Sequence, residues 1–162
     1  MRIVVVRHGE AEPKRGWTGP DDARPLVGRG RRQAERLGKV LNGQAPTRVI
    51  SSPALRCRET VEPLAARYGL EVELSEMLAT GAGTGAGGEA AALCRKLAHS
   101  EPEDSNLVLC THREVLVEML PSLSEEYGCK LGHQPPGAKG GAWTLRFQSG
   151  RMLKVHYTPP PA

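Results

Sequence analysis

Aromatic side chains are scarce in this chain of 162 residues: one Phe, two Trp and three Tyr make up 4% of it. Its core must therefore be largely aliphatic. Long apolar runs are missing as well. No stretch approaches the roughly 20 residues a membrane-spanning helix needs. The opening MRIVVVRHGE turns to charge after five strand-like residues, which is too short for a secretory leader. Cysteine is sparse and irregularly placed. Cys57, Cys94, Cys110 and Cys129 form no C-x-x-C pair, which excludes a disulfide or zinc framework of ordinary spacing. The expectation is a cytoplasmic protein with reduced thiols, no membrane segment, and no metal or other cofactor.

What the chain does contain is ordinary in amount and uneven in placement. At roughly 100–200 residues per domain it is a single domain, read here as 1–158 with a disordered tail at 159–162. Apolar residues are 39% and charged residues 25%, as in a typical soluble domain. The net charge is +4, but residues 1–67 carry +7 and residues 68–162 carry −3. Sixteen of the 22 basic residues are Arg, the side chain suited to planar, bidentate capture of anions.

Hydrophobic patterning gives an alternation of strands and helices. Residues 2–6 (RIVVV) and 107–111 (LVLCT) are continuous apolar runs of the kind found in buried parallel strands. Residues 47–51 and 71–74 read as two further strands. Helices are expected over 31–42, from Ser52-Pro53 to Tyr68 with a kink or break at Pro63, over 89–98, and over 113–120, stopped by Pro121. Residues 79–88 read as a flexible glycine-rich loop, and 121–141 as mostly loop. Trp143, Leu145 and Phe147 alternate, as do Leu153, Val155 and Tyr157. A turn at Ser149-Gly150 makes them a hairpin. The fold class is thus α/β: a three-layer sandwich, with a mostly parallel central sheet flanked by helices and a C-terminal antiparallel hairpin.

In such sheets ligands bind beyond the carboxyl ends of the strands. The first strand ends in Arg7-His8-Gly9-Glu10. The second leads into Ser51-Ser52-Pro53-Ala54-Leu55-Arg56, and the fourth ends in Thr111-His112. Two histidines and two arginines thereby converge on one sheet edge. That set suits phosphoryl transfer. An imidazole with one free nitrogen is a nucleophile. Arg7 and Arg56 can take the equatorial oxygens of a phosphoryl group by charge-assisted bonds, and a second imidazole can stabilise developing charge. Gly9 permits close backbone approach. A carboxylic acid would then protonate the leaving atom.

These residues resemble the RHG signature of the histidine phosphatase superfamily, which includes the cofactor-dependent phosphoglycerate mutases. Further stretches extend the likeness along nearly the whole chain. Asp22-Ala23-Arg24-Pro25-Leu26 with Gly30 and Gln33 is similar to a stretch of the small SixA-like branch. Ser51-Ser52-Pro53 with Arg56, Glu59 and Thr60 is similar to the segment that brings in the second arginine, and Thr111-His112 to the late strand-end histidine. The resemblance implies that His8 becomes a phosphohistidine, with Arg7, Arg56 and His112 completing the phosphate pocket. It implies a phosphohistidine protein as substrate, or a small phosphorylated metabolite or nucleotide. Similar domains also occur fused behind Nudix domains. A non-catalytic phosphoprotein-binding module is the rival from another class.

The sequence departs from the larger members where they carry a general-acid Glu after the third strand: Leu78-Ala79-Thr80-Gly81 puts Thr80 there. The candidate acids are Glu76, Glu10 and Glu89. Arg15 and Arg24 follow the nucleophile strand and are candidates for binding substrate beyond the phosphate.

Other signals have plainer readings. Gly83 to Gly88 matches G-x-G-x-x-G, but no buried strand leads tightly into it, so a loop is expected rather than a dinucleotide site. The basic stretch Gly28-Arg29-Gly30-Arg31-Arg32 lacks interleaved aromatics, so no nucleic acid is expected there. Cys110, inside an apolar strand, reads as a buried, inert thiol. Oligomeric state leaves no trace in the sequence.

Overall fold

The structure is a computed structural model that describes residues 1–81 and 85–162. One sheet of six strands forms its centre: β1 (Arg2–Arg7), β2 (Arg48–Ser51), β3 (Val72–Leu74), β4 (Asn106–Thr111), β5 (Ala142–Gln148) and β6 (Arg151–Thr158). Their spatial order is β3-β2-β4-β1-β5-β6. The first four are parallel to one another, while β5 runs antiparallel to β1 and β6 antiparallel to β5. The fold class is the one expected from sequence.

Side-chain alternation divides the core into two layers. Ile3 and Val5 face one side, where α3 (Ala86–Ser100) and α4 (Arg113–Tyr127) pack with Leu107, Leu109, Trp143 and Leu145. Val4 and Val6 face the other, against Leu37, Leu41, Val61 and Leu64 from α1 (Gly28–Arg36), the 3-10 turn after it and α2 (Leu55–Arg67). Each fully buried aliphatic side chain contributes roughly 1.5–3 kcal/mol of transfer free energy. With almost no rings to spend, the protein fills both layers with Val, Leu, Ile and Ala.

Several element boundaries differ from the expectations. Pro121 does not stop α4, which continues to Tyr127 before Gly128 caps it at φ 67°. Pro121 and Val117, four residues back, are both exposed, so water can satisfy the carbonyl that loses its helical partner. Leu123 is fully buried, and Tyr127 packs edge-on to Phe147; these contacts make the extra turns worthwhile. Pro63 is likewise exposed and α2 runs through it unbroken.

The helix expected at 31–42 is α1 plus a 3-10 turn over Leu37–Leu41. The helix expected from Glu89 starts at Ala86, so residues 86–88 of the expected loop are helical. Gly87 is a packing residue: a Cβ there would lie 2.2 Å from the Glu118 Cβ of α4. The G-x-G-x-x-G match begins at Gly83, outside the described residues. In the hairpin, Ser149 and Gly150 have φ of 50° and 78°, the pair of left-handed residues that a tight two-residue connection requires.

Candidate active site

The parallel register sets Arg7 beside Thr111, so the residues that follow, His8 and His112, leave the sheet side by side. Their rings lie 5.5 Å apart, edge to face. The backbone amide of His8 donates to Thr111 O (3.1 Å). On the other side Gly140 N donates to Arg7 O (3.0 Å) and His8 O (3.3 Å), and Arg7 N donates to Gly141 O (3.0 Å). The nucleophile candidate is therefore pinned by backbone bonds from two distant parts of the chain.

The hydrogen bonds fix the state of each imidazole. His8 Nδ1 lies 2.7 Å from Gly9 O. A carbonyl only accepts, so Nδ1 carries the proton and Nε2 keeps its lone pair. Burial, helped by the neighbouring His112 and the charges of Arg56 and Arg7, pushes the His8 pKa down to about 3. His8 is thus a neutral base at physiological pH. His112 has the opposite tautomer: Nδ1 faces Arg56 Nη2 (3.2 Å), which only donates, while Nε2 donates to Ser52 Oγ (2.8 Å). As placed, His112 orients Arg56. Donation from Nδ1 to a phosphoryl oxygen would use the other tautomer, with the Ser52 hydroxyl donating to Nε2.

The two guanidinium groups are held by the loops around them. Arg7 Nη1 donates to Gly137 O (2.6 Å). Arg56 Nη1 donates to Asp21 O (2.9 Å), and its Nη2 to Asp21 Oδ2 (3.0 Å). The Nε atoms of Arg7 and Arg56 are buried with no protein partner. These two arginines, with His8 and His112, line a cleft of about 200 Å³ whose rim adds Lys14, Arg24, Arg113 and Lys139.

The remaining sequence-predicted residues meet different fates. Gly9 is tight because of Gly30: a Cβ on it would lie 3.0 Å from Gly30 O, and its amide donates to Thr60 Oγ1 (3.0 Å). It braces the loop, and its amide is not free for a phosphate. Arg24 lines the cleft, but its side chain is engaged, donating to Asp21 Oδ1 (2.9 Å) and Glu12 O (2.6 Å). Burial would raise the Asp21 carboxyl, but the Arg24 hydrogen bond and the Arg56 and Arg24 charges hold it below the usual carboxylate range. Arg15 is exposed and is not among the cleft-lining residues.

None of the three candidate acids lines the cleft. Glu10 turns to Arg29 (3.7 Å), while Glu76 and Glu89 are exposed elsewhere. The carboxylates that do line it are Glu12 and Glu114, which sequence reading missed. Glu114 had a usable signal: it lies in the first turn of a helix that begins directly after a strand-end histidine. Cys110 is fully buried, and burial pushes its thiol well up, which suits an inert role. Among the described residues no group of three or more His, Cys, Asp or Glu is placed to hold a metal. No described helix is long and apolar enough to cross a membrane.

One supporting layer went unnoticed in the sequence. Tyr157 stacks on His133 (4.1 Å between ring centres) and accepts from Ala138 N (2.9 Å), while Trp143 Nε1 donates to Pro136 O (3.0 Å). Together they shape the 136–141 loop that supplies Gly137 O to Arg7 and Gly140 N to His8. Tyr157→Phe keeps the stack and loses the hydroxyl. A lost hydrogen bond of about 1 kcal/mol predicts roughly a fivefold fall in kcat/KM toward a phosphorylated substrate. Steady-state kinetics on the variant, with its thermal midpoint as control, checks this.

Comparison with known proteins agrees with the geometry. A family model for the histidine phosphatase superfamily (branch 1) matches residues 3–81, the segment holding Arg7, His8 and Arg56. A curated protein of Mycolicibacterium smegmatis, described as an 8-oxo-(d)GTP phosphatase, is 31% identical over 98% of this chain and 48% of its own length. The chain thus spans about half of that relative. Among solved structures, the protein histidine phosphatase SixA complexed with tungstate superposes with a TM-score of 0.77 at 21% identity, covering 99% of this chain and 97% of that one. A mycobacterial glucosyl-3-phosphoglycerate phosphatase gives 0.72 at 19% identity, covering 99% of each chain. At those identities the likeness speaks for the fold. The matched segment carries the Arg7-His8-Gly9 strand end and Arg56, so the likeness to the histidine phosphatase superfamily falls on the residues that converge with His112 at the cleft.

Proposed function

We propose that this chain hydrolyses phosphoryl groups without a metal, through a phosphohistidine formed on His8. The observation that carries the reading is the neutral His8, with Nδ1 tied to Gly9 O and Nε2 unprotonated, in a cleft lined by two guanidinium groups. Nε2 attacks the phosphorus as the bond to the leaving atom breaks. Arg7 and Arg56 take the negative charge of the equatorial oxygens. Water then attacks the phosphohistidine, releasing inorganic phosphate and restoring neutral His8.

A phosphohistidine side chain of a protein fits this site as substrate. Its leaving imidazole needs less acid assistance than an alkoxide, and the cleft carboxylates are the rim residues Glu12 and Glu114. A nucleotide phosphoanhydride is the second reading. The four rim cations favour it, since they can meet a further phosphate, and the 31% identical relative is an 8-oxo-(d)GTP phosphatase.

A turnover panel tests these readings. Phosphoramidate, a phosphohistidine peptide, an aryl phosphate, a nucleoside triphosphate and 3-phosphoglycerate are compared at one pH. Phosphoramidate and the peptide should be hydrolysed, with 3-phosphoglycerate slower by on the order of 100-fold, the usual worth of a positioned general acid. Glu114→Gln and Glu12→Gln should slow the aryl phosphate more than phosphoramidate. Fast hydrolysis of sugar phosphates would overturn the preference for labile leaving groups. Binding of the peptide without turnover would replace the enzyme reading by a phosphoprotein-binding module.

A further inference from the structure

We propose that the open face of the β5–β6 hairpin holds a second anion site, built for a compact oligophosphate and remote from His8. The sheet register aligns Arg2 of β1 with Arg146 of β5, and Arg146 with Lys154 of β6. Three cations thus stand in one row across three hydrogen-bonded strands. Like charges in directly opposed positions repel, so an arrangement of this kind calls for a counter-charge.

Among the described residues no carboxylate forms an ion pair with the row. The row points to the same side as Val4 and Val6, where α1 and α2 cover the rest of the sheet but leave Arg146, Lys154 and His156 exposed. Among the described residues, Arg2, Lys39, Arg146 and Lys154 make no ion pair. All four line a cleft of about 430 Å³ together with His156, and no carboxylate lines it. Glu103 and Asp104 line an adjoining cleft of about 670 Å³ that Arg2, Arg146 and Lys154 also line, but neither pairs with these cations, and Glu103 accepts from Ser149 N.

Arg2 adds a second, independent observation. Its Nη1 is spent on Gln44 Oε1, yet its Nε is buried with no partner. Burial and, second to it, the nearby Arg146 push the Arg2 pKa down. The row's backbone positions span two strand spacings of about 4.8 Å each, so a single phosphate reaches all three cations only if their side chains converge, whereas two or three linked phosphates match that length and the charge of four cations. Arg2 lies five residues from Arg7 along β1, about 17 Å away, so the two sites are separate.

The source of the phosphates is either inorganic oligophosphate or the tail of a nucleotide. A titration of the 15N-labelled protein with sodium tripolyphosphate at fixed ionic strength tests the site. Saturable amide shifts are expected at Thr144, Arg146, Lys154 and His156, with at least tenfold weaker binding in R146E/K154E. The R146Q/K154Q variant repeats the measurement without charge reversal, and its thermal midpoint reports folding. Orthophosphate should bind at least tenfold more weakly than tripolyphosphate. Adenosine triphosphate binding as tightly as tripolyphosphate assigns recognition to the phosphates of either source. Shifts confined to the His8 cleft, equal binding by orthophosphate, or unchanged affinity in R146Q/K154Q would each overturn the proposal. So would preferential capture of an oligonucleotide by the same residues.

Discussion

Replacing His8 by alanine is expected to lower kcat/KM on phosphoramidate by on the order of 10⁴-fold or more, as loss of an attacking side chain does in other covalent hydrolases. The guanidinium pocket would survive, since Arg7 is held by Gly137 O and Arg56 by Asp21, not by the imidazole. Substrate binding should therefore persist while turnover stops. A denaturing alkaline quench of the wild type should trap a phosphoryl group that is base-stable and lost on later acid treatment, absent from His8→Ala. Retention of activity within tenfold would exclude the phosphohistidine route.

The same residue sets a pH signature. Folded His8 stays neutral down to about pH 3, whereas an unfolded histidine takes its proton near pH 6.5. Between those values the unfolded chain binds the extra proton, so stability falls as the pH drops from about 6.5 toward 3. Above 6.5 His8 contributes no slope. The full effect is about a few kcal/mol, reduced because the ring is only partly shielded from water. His8→Ala should flatten that part of the stability profile. On the activity side, the nucleophile itself should impose no acid limb near pH 6.5.

The second large effect is structural. Gly30→Ala is expected to destabilise the fold by about 2–3 kcal/mol or more, through overpacking against a backbone that cannot step aside. A Cβ at Gly30 would lie 2.0 Å from Glu10 O, two residues beyond His8. Glu10 N is bonded to Gln33 Oε1 (2.9 Å), and Gln33 Nε2 reaches Lys139 O (3.1 Å), so the strain would spread to both loops around His8. For a domain of this size each kcal/mol moves the thermal midpoint by roughly 2–4 °C. A fall of about 5–10 °C with impaired turnover is predicted. Gly88→Ala is the control: nothing lies within 4 Å of its Cβ position, and α3 should gain rather than lose. Calorimetry on the two variants compares them directly.

How far the sequence could be read depended on what each residue's role rests on. Arg7, His8 and His112 were legible because they follow unbroken apolar strands, whose ends in an α/β sheet are fixed by topology. Arg56 was legible from its place shortly after a strand. The carboxylates that line the cleft were not, because nearness in sequence to the third strand or to His8 says nothing about direction: Glu10 turns away to Arg29, while Glu114 comes back on the first turn of α4. Arg24 looked free because Asp21, its partner, differs in no visible way from Asp22 beside it. Pro121 read as a stop because the pattern cannot show that the lost hydrogen bond falls on the wet side of a helix whose inner side still has Leu123 and Tyr127 to bury.

The backbone bonds of His8 have a further consequence. His8 takes its place from Thr111 on one side and from Gly140 on the other, residues more than a hundred positions away in the chain. No contiguous fragment shorter than most of the domain can hold the imidazole in its working position. On heating, turnover and the sheet are therefore expected to be lost together, in one transition seen alike by activity and by circular dichroism.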